Sequence, residues 1–382
     1  MLNKWKQAVF ASEEVNLGRQ KELDMGKAIS ILCLAWIHSI IECSTDEMLE
    51  SGIPYLFDTV IGGPMSAPMY MFAMGLCLFY TRDRSYQHCF HYALKIAVIG
   101  LILNICRFLI PLGIGYLITG DSEKFLTRLP YRFFGNDVLQ FAALALAILG
   151  CFKKWNLSPR IMLLIAAVMS LLGTLLTGTD FQSPVLNTAL GYILPTEEPL
   201  DIVISDFPIL TWLICPVSGY CFGSLLIRVK DKTRFYGLIT PVALVISISY
   251  FWYGITHEVG MFGEGQNCYY HMLTNDMAAS IINVIAMLGI YYFIGLLLPE
   301  GFHRVFHNIS RNINRIYCIH WVFVIWITNV ILYICRGTQI LPVGSTMLLG
   351  TAIMIVSVAL ANIWDSKIRD LIFRRKHNGK EA

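Results

Sequence analysis

Lys27 and His38 stand eleven residues apart on the first apolar stretch of the chain, MGKAISILCLAWIH. Eleven residues of α-helix rise about 16 Å and complete close to three turns, so the two side chains share one face. Lysine suits the point where such a helix leaves the cytoplasm. His38 then falls about halfway through a ~30 Å hydrocarbon core. A histidine at that depth can move a proton or act as a nucleophile. A lone histidine on an apolar helix is more often a satisfied packing residue, but three neighbours favour chemistry. Lys27 shares its face. Glu42 follows at i+4, where a carboxylate can accept from a ring nitrogen and select its tautomer. Further on the chain reads Arg82-Asp83-Arg84. Two guanidinium groups two residues apart suit phosphate, because each binds it bidentately. Ordinary enrichment of cytoplasmic loops in basic residues explains the same pair without chemistry.

The elements that position these residues are membrane spans. Of 382 residues, 56% are hydrophobic and 14% charged, against about 25% charged in soluble domains. The apolar residues fall in blocks at 28–43, 60–80, 90–117, 137–152, 160–178, 203–227, 235–254, 275–298, 313–335 and 342–364. These predict about ten transmembrane helices, with nine or eleven left open by the short first and fourth blocks. Lys4, Arg19, Lys27, Arg82, Arg84, Lys153, Arg228, Arg304 and the basic tail through Lys380 then lie on one side. That bias predicts both termini in the cytoplasm. The expected fold is all-α and polytopic: a cytoplasmic segment 1–22, one ten-helix domain 23–366 and a basic cytoplasmic tail 367–382. No cleavable signal peptide is expected, and the first span reads as a signal anchor.

Other polar residues fall within or beside the spans. Arg107 and Asp137 lie toward the outer halves of adjacent spans and are expected to form a buried ion pair, with a role along an acceptor path as the alternative. Tyr317 and His320 sit one turn apart, with His320 placed nearer the cytoplasmic side than His38, in either a packing or an active-site role. Gly219 and Gly223 form a small-xxx-small pair expected to let helices approach closely. The 11 cysteines contain no CxxC pair and read mainly as apolar filler, with at most one disulfide among Cys43, Cys268 and Cys335. The outer loops carry acids such as Glu198 and Glu264. One of them, with Lys124, Arg128 and Arg132, has the charge to meet an anionic surface glycan or lipid. His and acidic residues show no metal-ligand spacing.

The stretch LDMGKAISILCLAWIH resembles the opening of the acyltransferase 3 family of membrane proteins, whose motif is a basic residue, ten residues, then histidine. The second helix, PMYMFAMGLCLFYTRDR, is similar to the family's helix ending in Arg-x-Arg, matched by Arg82 and Arg84. The segment NISRNINRIYCIHW looks like its Tyr-x-x-His helix, with Tyr317 and His320. Lys27 departs from the arginine usual in the family. It keeps the charge but loses the planar fork. Over part of the chain, NDVLQFAALALAILGCFKKWNLSP and FPILTWLICPVSGYCFGSLL also resemble heparan-alpha-glucosaminide N-acetyltransferases and their bacterial relatives.

The resemblance implies transfer of an acyl group, acetyl above all, from cytoplasmic acyl-CoA (acetyl-CoA as co-substrate, no metal) to a cell-envelope glycan or related surface acceptor. O-acetylation is favoured over N-acetylation. His38 and Glu42 are the expected catalytic pair, and Lys27, Arg82 and Arg84 the donor contacts. Tyr317, His320, Arg107 and Asp137 are expected in substrate-facing or supporting places. His38 can serve as general base or be transiently acylated, and the residues leave both open. The expected partners are the lipid bilayer, acyl-CoA and the acceptor, with no nucleic acid and with an oligomer compatible. The expected location is a bacterial inner or plasma membrane. A transporter or flippase of a lipid-linked or anionic substrate is the alternative, because buried charges also mark substrate paths.

Overall fold

The structure is a computed structural model that describes residues 2–197, 205–263 and 268–378. Glu198, Glu264 and Lys380 lie outside the described residues, as do the side chains of Lys4 and of the tail beyond residue 367. The principal helices, in chain order, are α1 (Leu2–Val9), α2 (Lys21–Cys43), α3 (Ala67–Tyr80), α4 (Tyr86–Asn104), α5 (Val138–Lys154) and α6 (Pro159–Leu175). They continue with α7 (Ile214–Leu226), α8 (Lys232–His257), α9 (Thr274–Leu297), α10 (Glu300–Arg311), α11 (Ile313–Ile325) and α12 (Val343–Asn378). Among the described residues, eight helical stretches are long and apolar enough to cross a membrane. The 17-residue helices α5 and α6 coincide with the two remaining apolar blocks. The protein is an all-α, multi-pass membrane protein. Its long apolar side chains point outward as well as inward, as on α8 with Val242, Val245, Ile248 and Trp252 exposed. That is the pattern of a protein whose solvent is lipid tails.

The described residues fall into two compact units, Met1–Leu23 with Gly63–Leu296, and Asp24–Gly62 with Leu297–Ala382. In the first unit, α3 and α7 cross backbone against backbone. A Cβ on Gly75 would stand 1.8 Å from the Pro216 carbonyl oxygen, and one on Gly219 would stand 1.9 Å from that of Phe72. Only glycine permits that approach. Gly223 lies against the Phe79 side chain, where a Cβ would stand 2.9 Å from that of Phe79. The expected close packing at Gly219 and Gly223 is present, and it brings the C-terminal end of α3 beside α7. Gly150 of α5 faces the side chains of Cys89 and Phe90 of α4 less closely, with a would-be Cβ 3.2 Å from Cys89 Cβ.

An N-terminal strap closes one end of this unit. Ala11 N–H donates to Arg228 O at 2.9 Å, and Val15 and Asn16 N–H donate to Ile227 O at 3.0 and 2.9 Å. Buried Glu22 receives Lys232 Nζ at 2.5 Å and the Tyr236 hydroxyl at 3.2 Å. Elsewhere in the unit the expected ion pair is formed, with Arg107 Nη2 at 2.5 Å from Asp137 Oδ2. Arg107 sits in the π-helical segment Ile105–Leu109 and also donates to Asn104 Oδ1 at 2.9 and 3.1 Å. A buried charge needs this full set of partners to be tolerated.

The second unit centres on Ala35, Val324 and Ile353, contributed by α2, α11 and α12. Gly350 of α12 packs directly on Trp36, whose indole Nε1–H donates to Thr351 at 3.0 Å. At the α10–α11 corner, Arg311 and Arg315 both pair with Asp365 of α12, the latter at 3.0 Å. Among the described residues no disulfide is formed.

Candidate active site

Helix α2 runs without a break from Lys21 to Cys43, so Lys27 and His38 do lie three turns apart on one continuous face. Lys27 is half-buried. His38 is partly buried, and its imidazole lies against the Trp321 ring, with centroids 4.0 Å apart. Its Nδ1 stands 2.9 Å from His320 Nε2. His320, on α11, is 1% exposed, and its Nδ1 lies 3.2 Å from the carbonyl oxygen of Ile316, one turn earlier. The Tyr317 ring meets His320 edge-on, with centroids 5.4 Å apart. His320 is therefore level with His38 rather than nearer the cytoplasmic side, because α2 and α11 pack side by side at this point.

With both rings neutral, these contacts select their tautomers. A backbone carbonyl only accepts, so the proton of neutral His320 is on Nδ1 and its Nε2 carries the lone pair. The bond between the rings then has one sense, with His38 Nδ1–H donating to His320 Nε2. That leaves the basic lone pair of His38 on Nε2. The order carbonyl, imidazole, imidazole does what carbonyl or carboxylate partners do for catalytic histidines elsewhere: it selects a tautomer and holds the ring plane.

Glu42, expected to orient His38, instead accepts from Asn329 Nδ2 at 2.7 Å. Asn329 is buried in the π-helical segment Trp326–Leu332 that follows α11, and also donates to Thr328 Oγ1 at 3.0 Å. π-Helical segments redirect side chains and recur at functional sites. The pattern Tyr-x-x-His signals His320 in the sequence. Nothing in the sequence marks Asn329 or Trp321 as its companions.

Arg82 and Arg84 belong to the other unit, in the turn between α3 and α4. Ser85 caps α4 by accepting from His88 N–H at 3.2 Å. Asp83 accepts from Ser85 N–H at 2.9 Å, and hydrogen bonds from Ser85, aided by the neighbouring His88 ring and Lys153 ammonium, hold its carboxyl below the usual range. Arg82 is exposed. Arg84 lies over the Phe79 ring, 5.3 Å from its centroid, and Nη1 alone donates to Glu14, at 3.0 Å to Oε1 and 3.2 Å to Oε2. Arg107 and Asp137 lie in the same unit, in the ion pair already described.

A histidine with a fixed basic nitrogen and a separate paired-arginine turn are the parts an acyl-transfer enzyme needs for proton movement and for an anionic donor. A search of curated proteins finds no match to the chain. The model of the acyltransferase 3 family, described as an acyltransferase domain, matches residues 20–362, from before Lys27 to beyond His320, and the chain belongs to that family of membrane acyltransferases.

Proposed function

We propose that the protein transfers an acyl group, acetyl above all, from cytoplasmic acyl-CoA to a hydroxyl of a cell-envelope glycan or related surface molecule. The observation that carries this reading is the relay from the Ile316 carbonyl through His320 to His38, which leaves Nε2 of His38 as the base. The acceptor O–H gives its proton to Nε2 as its oxygen attacks the thioester carbonyl. The new C–O bond forms, the C–S bond breaks, and the imidazolium returns the proton to the departing thiolate to give CoA-SH. During the step the His38 Nδ1–H bond to His320 strengthens, because its donor has become charged. An amine acceptor would use the same base. Arg82 and Arg84 take the phosphates of the donor, and Lys27 adds a cation on the face of His38.

The test is CoA release from acetyl-CoA by purified protein in nanodiscs, with His38→Ala beside the wild type and a monodispersity check on both. Release abolished by His38→Ala supports the reading. Absence of any acetyl-CoA binding at high concentration sinks it and favours transport.

A further inference from the structure

The turn carrying Arg84 is one pole of a larger arrangement within the first unit. Phe79, under the Arg84 guanidinium, meets the Tyr220 ring of α7 edge-on, with centroids 4.9 Å apart. Over Tyr220, 5.8 Å from its centroid, lies the ammonium of Lys153, in the last turn of α5. Two cations thus bracket one pair of aromatic rings, each within cation–π range. Lys153 is also close enough to the turn to lower the pKa of Asp83. Its Nζ donates weakly to Cys89 Sγ at 3.7 Å, which occupies one of three N–H groups. Arg84 is engaged by Glu14 through Nη1 alone, so its Nε and Nη2 edge remains for an anion. The docked strap fixes Glu14, and Phe79 fixes the plane of the guanidinium. The tight Gly219–Phe72 and Gly223–Phe79 approaches are what place Tyr220 beside Phe79.

We propose that Arg84, Lys153, Phe79 and Tyr220 form a cradle for the nucleotide end of the donor, with the cations on its phosphates and the rings against its base. The identity of the donor rests on the acyl-CoA reading above. The chemistry of the cradle, a phosphorylated nucleoside, rests on the cluster itself. Sequence alone gave Lys153 no role beyond topology, and Tyr220 none at all.

The probe is adenosine 3′,5′-bisphosphate, titrated by calorimetry against the full chain in nanodiscs. The wild type binds it saturably. Lys153→Gln and Arg84→Gln each weaken binding by about tenfold, as expected for loss of one charge-assisted contact. Lys153→Arg and Tyr220→Phe retain it, Tyr220→Leu does not, and exposed Lys154→Gln changes it less than twofold. The retained binding of the conservative variants separates this from misfolding. Failure of the wild type to bind the bisphosphate, or equal losses in Lys153→Gln and Lys154→Gln, overturns the cradle. Bisphosphate binding without any binding of acetyl-CoA leaves the cradle standing and removes the acyl-CoA reading instead.

Discussion

His38 Nδ1 and His320 Nε2 stand 2.9 Å apart although 282 residues separate them in the chain. Because His320 Nδ1 is committed to the Ile316 carbonyl, this one contact determines which nitrogen of His38 is basic. His38→Ala is expected to lower acyl transfer by about 10²–10⁴-fold, the usual contribution of a general base. His320→Ala should cost roughly tenfold in kcat, with donor KM nearly unchanged, since it frees the ring without removing it. His320→Gln should recover part of that loss, because its amide oxygen can accept from His38 Nδ1–H. Equal kcat in His320→Ala and wild type would exclude the relay.

The Arg107–Asp137 pair is a matter of stability. Arg107→Met leaves a buried carboxylate uncompensated and should cost about 3–5 kcal/mol. Adding Asp137→Asn removes that charge while keeping an acceptor for the Val138 N–H. The double variant should therefore be more stable than Arg107→Met alone. Thermal unfolding in detergent decides this, and a double variant no better than the single would mean that Arg107 acts through its packing.

The crossing of α3 and α7 predicts a contrast between glycines. Gly219→Ala drives a Cβ to 1.9 Å from a carbonyl oxygen and should destabilise by about 1–3 kcal/mol or more as the helices separate. Gly237 of α8 has nothing within 4 Å of its would-be Cβ, so Gly237→Ala should stabilise by up to about 1 kcal/mol through helix propensity. Unfolding midpoints of the two variants should move in opposite directions.

His271, outside the spans, gives a pH dependence. It is buried, with Nε2 3.1 Å from Ser205 O, and burial pushes its pKa down to about 4 from 6.5. The unfolded chain takes a proton near pH 6.5 and the folded one does not, so unfolding is favoured as pH falls between those values. Stability should be flat above pH 6.5 and decline by about 3 kcal/mol toward pH 4. His271→Gln keeps a donor for the Ser205 carbonyl without titrating there and should flatten that slope. An unchanged slope in unfolding curves from pH 7 to 4.5 would assign the acid sensitivity to other groups.

What the sequence by itself determined is what local periodicity carries. Among the described residues, eight of the ten apolar blocks coincide with helical stretches long and apolar enough to cross a membrane and two with 17-residue helices, because a span is defined by length and hydrophobicity alone. The shared face of Lys27 and His38 follows from helix geometry over eleven residues, and the Arg82–Arg84 turn and the Tyr317–His320 pair are legible as short motifs. Gly219 and Gly223 announced a close crossing without naming the helix crossed. Only tertiary structure decided the partners. Glu42 at i+4 was the natural candidate to orient His38, but it is held by Asn329, and the ring meets His320 instead. Arg84 likewise takes Glu14, 70 residues earlier, and lies near Lys153 across the Phe79 and Tyr220 rings. Spacing along one helix specifies a direction for each side chain. What stands in that direction depends on which helices pack there, and the largely apolar faces that drive that packing carry no residue-by-residue label of their neighbours.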